Sequence, residues 1–146
     1  MLVKTKYFDE VEIAIDKVIT LIHPIYGFEE YRHFIMLNDT EVGDGFAWFQ
    51  SLDDKDICFI IANLGYSLPS YQPSLPEDTL RLLEVKTAEE DLYYFGIMVV
   101  QDNFQNSTIN LKSPIVINHN INIGAQVILD EDFPLRKRIS ELEGEV

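Results

Sequence analysis

Short stretches in which apolar and polar residues alternate recur along the whole chain, and each ends at a polar pair, a proline or a glycine. Because successive side chains of a β-strand point to opposite faces, this period of two predicts strands. The predicted strands up to residue 100 are 2–8, 11–15, 18–22, 34–37, 46–52, 57–62 and 92–100. Their spacing of about ten residues favours a barrel or sandwich over an open α+β sheet. We therefore predict a mainly β fold, a small antiparallel β-barrel-like single domain.

The strongest strand pattern lies in residues 107–130, where β-branched residues arrive in bursts separated by Asn, Pro and Gly. Residues 108–111 alternate in polarity, 115–117 form a continuous apolar run, and 127–129 resume an apolar strand. Pro114 has no backbone donor, so it belongs at the first position of a strand or at a sheet edge. The pattern ends at the acidic triplet Asp130, Glu131 and Asp132, so the predicted core does not extend beyond residue 129.

One or two short helices are predicted between the strands. Residues 77–85 carry the clearest signal, because Pro76 precedes two acids that suit the positive end of the helix dipole. Residues 87–90 have the spacing of a capping box and predict one further turn. Residues 65–76 contain three prolines, and residues 38–45 are polar with two glycines, so both stretches are predicted to be loops.

The chain is strongly acidic, with 11 basic residues against 25 acidic ones and a formal net charge of −14 over 146 residues. Nucleic-acid binding requires a basic surface that releases counterions, so this balance argues against direct contact with RNA or DNA. An acidic surface favours cationic partners or simple solubility. The chain shows neither an apolar leader at its start nor a stretch long enough to span a membrane, and we expect it in the cytoplasm.

No recognisable catalytic or metal-binding motif occurs in the sequence. The three histidines and the single cysteine lack the spacing of a zinc site, and Cys58 lies in an apolar run that predicts core packing. The carboxylate pairs Asp53 with Asp56 and Glu89 with Asp91 are expected to be solvated surface groups in so acidic a chain. We therefore predict a protein that is not an enzyme and that uses no metal and no cofactor.

Several residues are nevertheless candidates for contact with a ligand or a partner. Trp48 and Phe49 point to opposite faces of their strand, so at most one of them belongs to the core. Phe133 flanks a proline and is a candidate anchor for a peptide, although loop packing accounts for it equally well. A small β-barrel enzyme or small-ligand binder that uses positions near Trp48 and Asn118 remains the alternative.

Several stretches together resemble the flagellar assembly factor FliW family. The similar stretches are the opening strands at 5–8 and 11–13, the Gly-Phe-Glu turn in 25–29, the Trp-x-Gln-Ser strand in 46–51, and the ladder formed by 110–118 and 124–129. The ladder is the most specific of these. Asp9 departs from the pattern, because it stands where the family usually has glycine. The resemblance covers nearly the whole chain, which is then one FliW-like domain, 1–146, with a short acidic C-terminal extension from about residue 134.

The resemblance implies a β-barrel-like fold and a cytoplasmic, non-enzymatic protein with two alternative partners. These partners are flagellin and CsrA, an RNA-binding translational regulator of flagellin synthesis. Binding of CsrA would relieve its repression of flagellin translation until accumulated flagellin removes the FliW-like protein. Seven residues are the candidate partner-binding positions: Trp48, Gln50, Asn118, Asp130, Glu131, Asp132 and Phe133.

Overall fold

A computed structural model describes residues 1–38 and 45–142 of the chain. The polar loop predicted at 38–45 therefore lies mostly outside the described residues. The strands are β1 (Leu2–Lys4), β2 (Glu10–Glu12), β3 (Ile19–His23), β4 (His33–Leu37), β5 (Phe46–Ser51), β6 (Cys58–Asn63), β7 (Leu92–Val99), β8 (Thr108–Ile109), β9 (Ile115–Asn118), β10 (Ile123–Gln126) and β11 (Lys137–Arg138). The helices are α1 (Leu64–Ser67), α2 (Glu77–Leu82) and α3 (Ala88–Asp91), with 3-10 turns at Ile15–Lys17, Phe104–Asn106 and Ile139–Glu141.

Seven of the strands close into a barrel. β7 pairs with β6 on one side and with β9 on the other, so the order β7, β6, β5, β4, β3, β10, β9 returns to β7. A closed ring with an odd number of strands requires at least one parallel pair. Here that pair is β3 with β10, whereas the other pairings of the ring are antiparallel. The predicted mainly β, barrel-like fold is confirmed.

Two small additions extend this barrel. β1 and β2 form a separate antiparallel hairpin, and Asp9 before β2 has a left-handed φ of 56°, the conformation that glycine adopts most readily. The second addition continues from the end of β7, whose last residues pair with β8, and β8 in turn pairs with β11. Ile139, directly after β11, is 1% exposed, so this part of the C-terminal segment belongs to the packed structure.

The apolar residues form two cores on opposite faces of the barrel wall. Phe34 and Phe49 stack inside the barrel with ring centroids 4.4 Å apart, and Ile117 lies in the same interior cluster. Val116 points the other way, into a second core beneath the segment that carries the helices. β9 is thus buried on both faces, which explains why residues 115–117 form an apolar run without alternation. Full burial of one such side chain contributes about 1.5–3 kcal/mol.

The structure corrects several predicted elements. α1 overlaps the start of the predicted loop 65–76, and its presence brings the described α-helices to three instead of one or two. The helix predicted over 77–85 ends at Leu82, because Glu84 has a left-handed φ of 54° that breaks the helical path.

Three strand predictions also differ from the structure. The strand predicted at 2–8 ends at Lys4. The strand predicted at 11–15 shortens to Glu10–Glu12, since a 3-10 turn begins at Ile15. The strand predicted at 127–129 is absent from the sheet. There the amides of Val127 and Leu129 still donate to carbonyls of residues 114 and 112, while Ile128 is exposed.

Candidate partner-binding surfaces

Trp48 lies on the outer face of the barrel, whereas its neighbour Phe49 is fully buried inside it. This confirms the prediction that the two rings face opposite sides. The residues after β1 cover Trp48, because the ring centroids of Tyr7 and Phe8 lie 4.6 Å and 5.6 Å from its own. Its indole nitrogen is buried and has no hydrogen-bond partner among the described residues. Trp48 is therefore half-buried, and the N-terminal hairpin packs against its ring.

Gln50 is fully buried, and its side chain bonds only to the backbone of its own molecule. Its Oε1 accepts from the amide of Lys6 at 3.0 Å. Its Nε2 donates to the carbonyls of Ser51, Lys55 and Ile57 at 2.9, 3.0 and 3.3 Å. Gln50 therefore joins the N-terminal hairpin to the β5–β6 turn, and its side chain is not exposed to solvent.

Asn118 has a similar internal role at the end of β9. It is 2% exposed, and its Nδ2 donates to the carbonyl of Leu83 at 2.8 Å, just beyond α2. Its Oδ1 accepts from the amide of Asn120 at 3.1 Å. The side chain therefore fixes both the end of the helix and the turn between β9 and β10.

In the acidic triplet Asp130, Glu131 and Asp132, only the carboxylate of Glu131 has a hydrogen-bond partner among the described residues. Glu131 accepts from the amide of Ser74 at 2.7 Å, and its carbonyl accepts from Lys112 Nζ at 2.7 Å. Asp130 and Asp132 are exposed and make no hydrogen bond within the described residues. These two carboxylates are therefore the exposed members of the triplet.

Phe133 follows the triplet and packs inward. Its ring centroid lies 4.9 Å from that of Tyr71, whose hydroxyl donates to the carbonyl of Leu111 at 2.7 Å. Burial raises the pKa of Tyr71, so its hydroxyl stays protonated and continues to donate. Phe133 thus helps to close the second core. The seven candidate residues do not form one patch, and their assignment to partner binding stays a prediction.

Two of the carboxylates that were expected to be solvated surface groups, Asp53 and Asp91, accept hydrogen bonds from backbone amides. Although burial acts to raise the pKa of Asp53, hydrogen bonds from Arg32 and His33 outweigh it and lower that pKa. Hydrogen bonds from the amides of Thr87 and Lys86 lower the pKa of Asp91. A general acid requires a raised pKa, near the working pH, so neither carboxylate is suited to that role.

A cavity of about 810 Å³ lies at an open end of the barrel. Apolar interior residues line it, and Glu12 is the one carboxylate among its described lining residues. That carboxylate accepts a hydrogen bond from the N-terminal amine at 2.8 Å. The described lining residues of this cavity therefore include no second carboxylate that could form an acid and base pair with Glu12.

Other possible chemical sites are equally sparse in the described ranges. Burial raises the pKa of the Cys58 thiol to about 11, with Lys6 acting in the opposite direction, so the thiol is protonated at neutral pH. Residues 1–38 and 45–142 contain no cluster of His, Cys, Asp or Glu suited to a metal ion. The helices in these ranges are all too short or too polar to cross a bilayer.

The sequence predictions missed an exposed apolar surface at the other end of the barrel. Tyr26, Val99, Ile128 and Leu135 are between 54% and 75% exposed and line one groove together with Arg136. The exposure of Ile128 could have been predicted from the sequence. In an extended run of three apolar residues, the middle side chain points away from the other two, so it is exposed when only one face of the run is covered. The sequence does not show that the other residues lie beside it.

Together these features define a small closed β-barrel with an apolar interior, a second core beneath short helices, and acidic and apolar patches on its surface. The family model described as FliW protein matches residues 2–139. The chain therefore belongs to the FliW family, as the resemblance predicted.

Individual relatives agree with this assignment. The chain is 34% identical to the flagellar assembly factor FliW of Caldicellulosiruptor saccharolyticus, over 95% of this chain and 90% of that protein. It is 33% identical to the protein of the same name from Bacillus licheniformis, over 94% of this chain and 95% of that one. A crystal structure of the flagellar assembly factor FliW superposes with a TM-score of 0.86 at 30% identity, covering 95% of this chain and 96% of that chain.

Proposed function

We propose that this chain is a flagellar assembly factor that works in the cytoplasm by binding proteins and not by catalysis. Its partners are flagellin and, alternatively, the translational regulator CsrA. While flagellin is scarce, the protein occupies CsrA and flagellin translation proceeds. When flagellin accumulates, it takes the protein away, and CsrA represses translation again.

The observation that supports this proposal best is the family match across residues 2–139, with relatives named as flagellar assembly factors over almost their whole length. The site chemistry is compatible with it. Gln50 and Asn118 serve internal hydrogen bonds, and Asp53 and Asp91 are backbone acceptors with lowered pKa values. Nothing described here favours the alternative of an enzyme or small-ligand binder.

The charge of the chain suggests how CsrA is engaged. A protein with a net charge of −14 attracts a cationic RNA-binding surface and repels the RNA backbone. Asp130 and Asp132 are exposed and free of internal partners, so they supply part of this field at short range. We assign them to the CsrA-facing surface, with Glu131 and Phe133 holding the segment in place.

Binding measurements with purified partners test this function. Isothermal titration of the protein with flagellin, and separately with CsrA, should give saturable binding in both cases. The Asp130→Lys/Asp132→Lys variant should bind CsrA more weakly. The Glu77→Lys/Glu89→Lys variant, which makes the same change in net charge at exposed helix positions, should bind more nearly as the unaltered protein does. If neither partner bound, the proposal would fail.

A further inference from the structure

A groove of about 410 Å³ opens at the end of the barrel away from the N-terminal hairpin. It lies between the turn that follows β3, the end of β7 and the segment that leads into β11. Its volume falls within the range of about 300–1,000 Å³ that is usual for ligand pockets. We call it the Arg136 groove and define it by these lining residues: Tyr26, Val99, Asn110, Ile128, Leu135 and Arg136.

The rim of the Arg136 groove is unusually apolar for an exposed surface. Tyr26 is 75% exposed, Leu135 61%, Ile128 55% and Val99 54%. Single exposed apolar residues are ordinary, but several that surround one groove mark an interaction site. Because these side chains stand on the rim, the apolar surface extends beyond the cavity itself. A polypeptide covers such a surface better than a small molecule does.

The charge of the groove is opposite to that of the molecule. Arg136 is the one charged residue among its lining residues, in a chain with a net charge of −14. Its guanidinium makes no hydrogen bond or ion pair within the described ranges. Arg136 is therefore an available cation beside an apolar surface.

A second free donor stands in the same groove. Asn110 Oδ1 accepts from the amides of Lys112 and Ser113 at 3.0 and 2.9 Å, which leaves its Nδ2 without a partner in the described part of the chain. Gln126, by contrast, uses both ends of its side chain, accepting from Tyr26 and donating to Ser113. The unused nitrogen groups are donors, so the occupant must supply acceptors.

We propose that the Arg136 groove binds an apolar segment of a protein partner that carries a carboxylate beside its apolar residues. Apolar side chains of the segment pack between Leu135, Ile128 and Tyr26, while its carboxylate pairs with Arg136 and a backbone carbonyl accepts from Asn110. Arg and Tyr are enriched among the residues that dominate protein interfaces. This site does not depend on the function proposed above, and it differs in charge from the acidic surface at Asp130 and Asp132.

Selection from a phage library of random peptides about a dozen residues long, against the immobilised full chain, tests this inference. We expect the enriched peptides to combine at least two large apolar residues with an Asp or Glu. Synthetic copies should lose about tenfold or more in affinity on Leu135→Ser, as anchor residues do. Arg136→Glu should weaken them similarly and should shift a repeated selection towards peptides that contain Lys or Arg.

Matched controls lie on α2, outside the groove. Leu82 is 50% exposed and Arg81 is 76% exposed at its side chain, so Leu82→Ser and Arg81→Glu repeat both changes elsewhere. These variants should bind the peptides as the unaltered protein does, and thermal melts should show that all four variants are folded. Basic peptides that are indifferent to Leu135 and Arg136 would overturn the inference.

Three other outcomes would also overturn it. One is a library that yields no enriched peptide. Another is a small apolar dye that binds through Leu135 where no peptide does. The third is a dimer in sedimentation velocity that Leu135→Ser dissociates, since a second copy of the chain would then be the occupant.

Discussion

The side-chain oxygen of Gln50 accepts a hydrogen bond from the backbone amide of Lys6 across 3.0 Å. This bond links the N-terminal hairpin to β5, because the two otherwise share no strand pairing. Trp48, two residues before Gln50 on the same outer face, lies under the rings of Tyr7 and Phe8. The two residues of the Trp-x-Gln sequence thus hold the N-terminal hairpin against the barrel.

Replacing Gln50 by Ala should destabilise the protein by about 2–4 kcal/mol, because it removes the bond to the Lys6 amide and the bonds to the carbonyls of residues 51, 55 and 57. Urea unfolding followed by the fluorescence of Trp48, the single tryptophan of the chain, measures this change. Gln72→Ala, at an exposed glutamine, is the matched control. An unchanged free energy of unfolding for Gln50→Ala would show that the bond to Lys6 contributes little.

Replacing Ile117 by Ala should cost about 2–5 kcal/mol, since the side chain is 2% exposed inside the barrel and its removal leaves a cavity. Ile121→Ala removes the same atoms from a side chain that is 46% exposed and should cost much less. Thermal melts of the two variants compare them directly. Equal melting temperatures would contradict the placement of Ile117 in the barrel core.

Acid stability should depend on Asp91. Its folded pKa is lowered, first by the amides of Thr87 and Lys86, from an ordinary value of 3.8. Because the pKa of Asp91 is lower in the folded protein than in the unfolded chain, its ionised carboxylate stabilises the fold at pH values above 3.8. This stabilisation is lost as the pH falls through the pKa of the folded state. Asp91→Asn should therefore show a smaller loss of stability than the unaltered protein as the pH falls below 3.8.

Urea unfolding at a series of pH values measures this difference. Asp102→Asn is the control, because Asp102 is exposed and makes no hydrogen bond within the described ranges. If the pH profiles of the Asp91 variant and the unaltered protein ran parallel, Asp91 would not be the group responsible.

The barrel was predictable from sequence because its signals are local. The alternating strands and the doubly buried 115–117 run follow from side-chain period and burial. The position of Trp48 relative to Phe49 follows from the same period. The left-handed residue Glu84 was not predictable, because glutamate carries no preference for that conformation and the contacts around it are set by tertiary packing.

The candidate site was harder to predict than the fold. Gln50 and Asn118 look like surface polar residues in the sequence, but chain segments distant from them supply their partners at Lys6 and Leu83. The Arg136 groove combines residues from positions 26 to 136, and the sequence does not show that they converge. Local composition shows which residues are polar or apolar, whereas topology determines which of them remain exposed.

The proposed function also predicts how RNA is released from CsrA. If the protein binds beside the RNA site, as the family resemblance implies, its acidic surface repels RNA that is still bound. Labelled RNA should then dissociate from a preformed CsrA complex faster as the protein concentration rises, and more so at low salt, where charges are less screened. A rate that stays flat at every concentration would indicate simple competition for free CsrA.

Displacement on a biosensor tests whether flagellin and CsrA bind this protein in a mutually exclusive way. CsrA is immobilised and saturated with the protein, and purified flagellin is then injected. Mutually exclusive binding predicts that the protein leaves the surface with flagellin, at a rate and extent that increase with flagellin concentration. A stable complex of all three proteins, with flagellin adding to the bound mass, would contradict it.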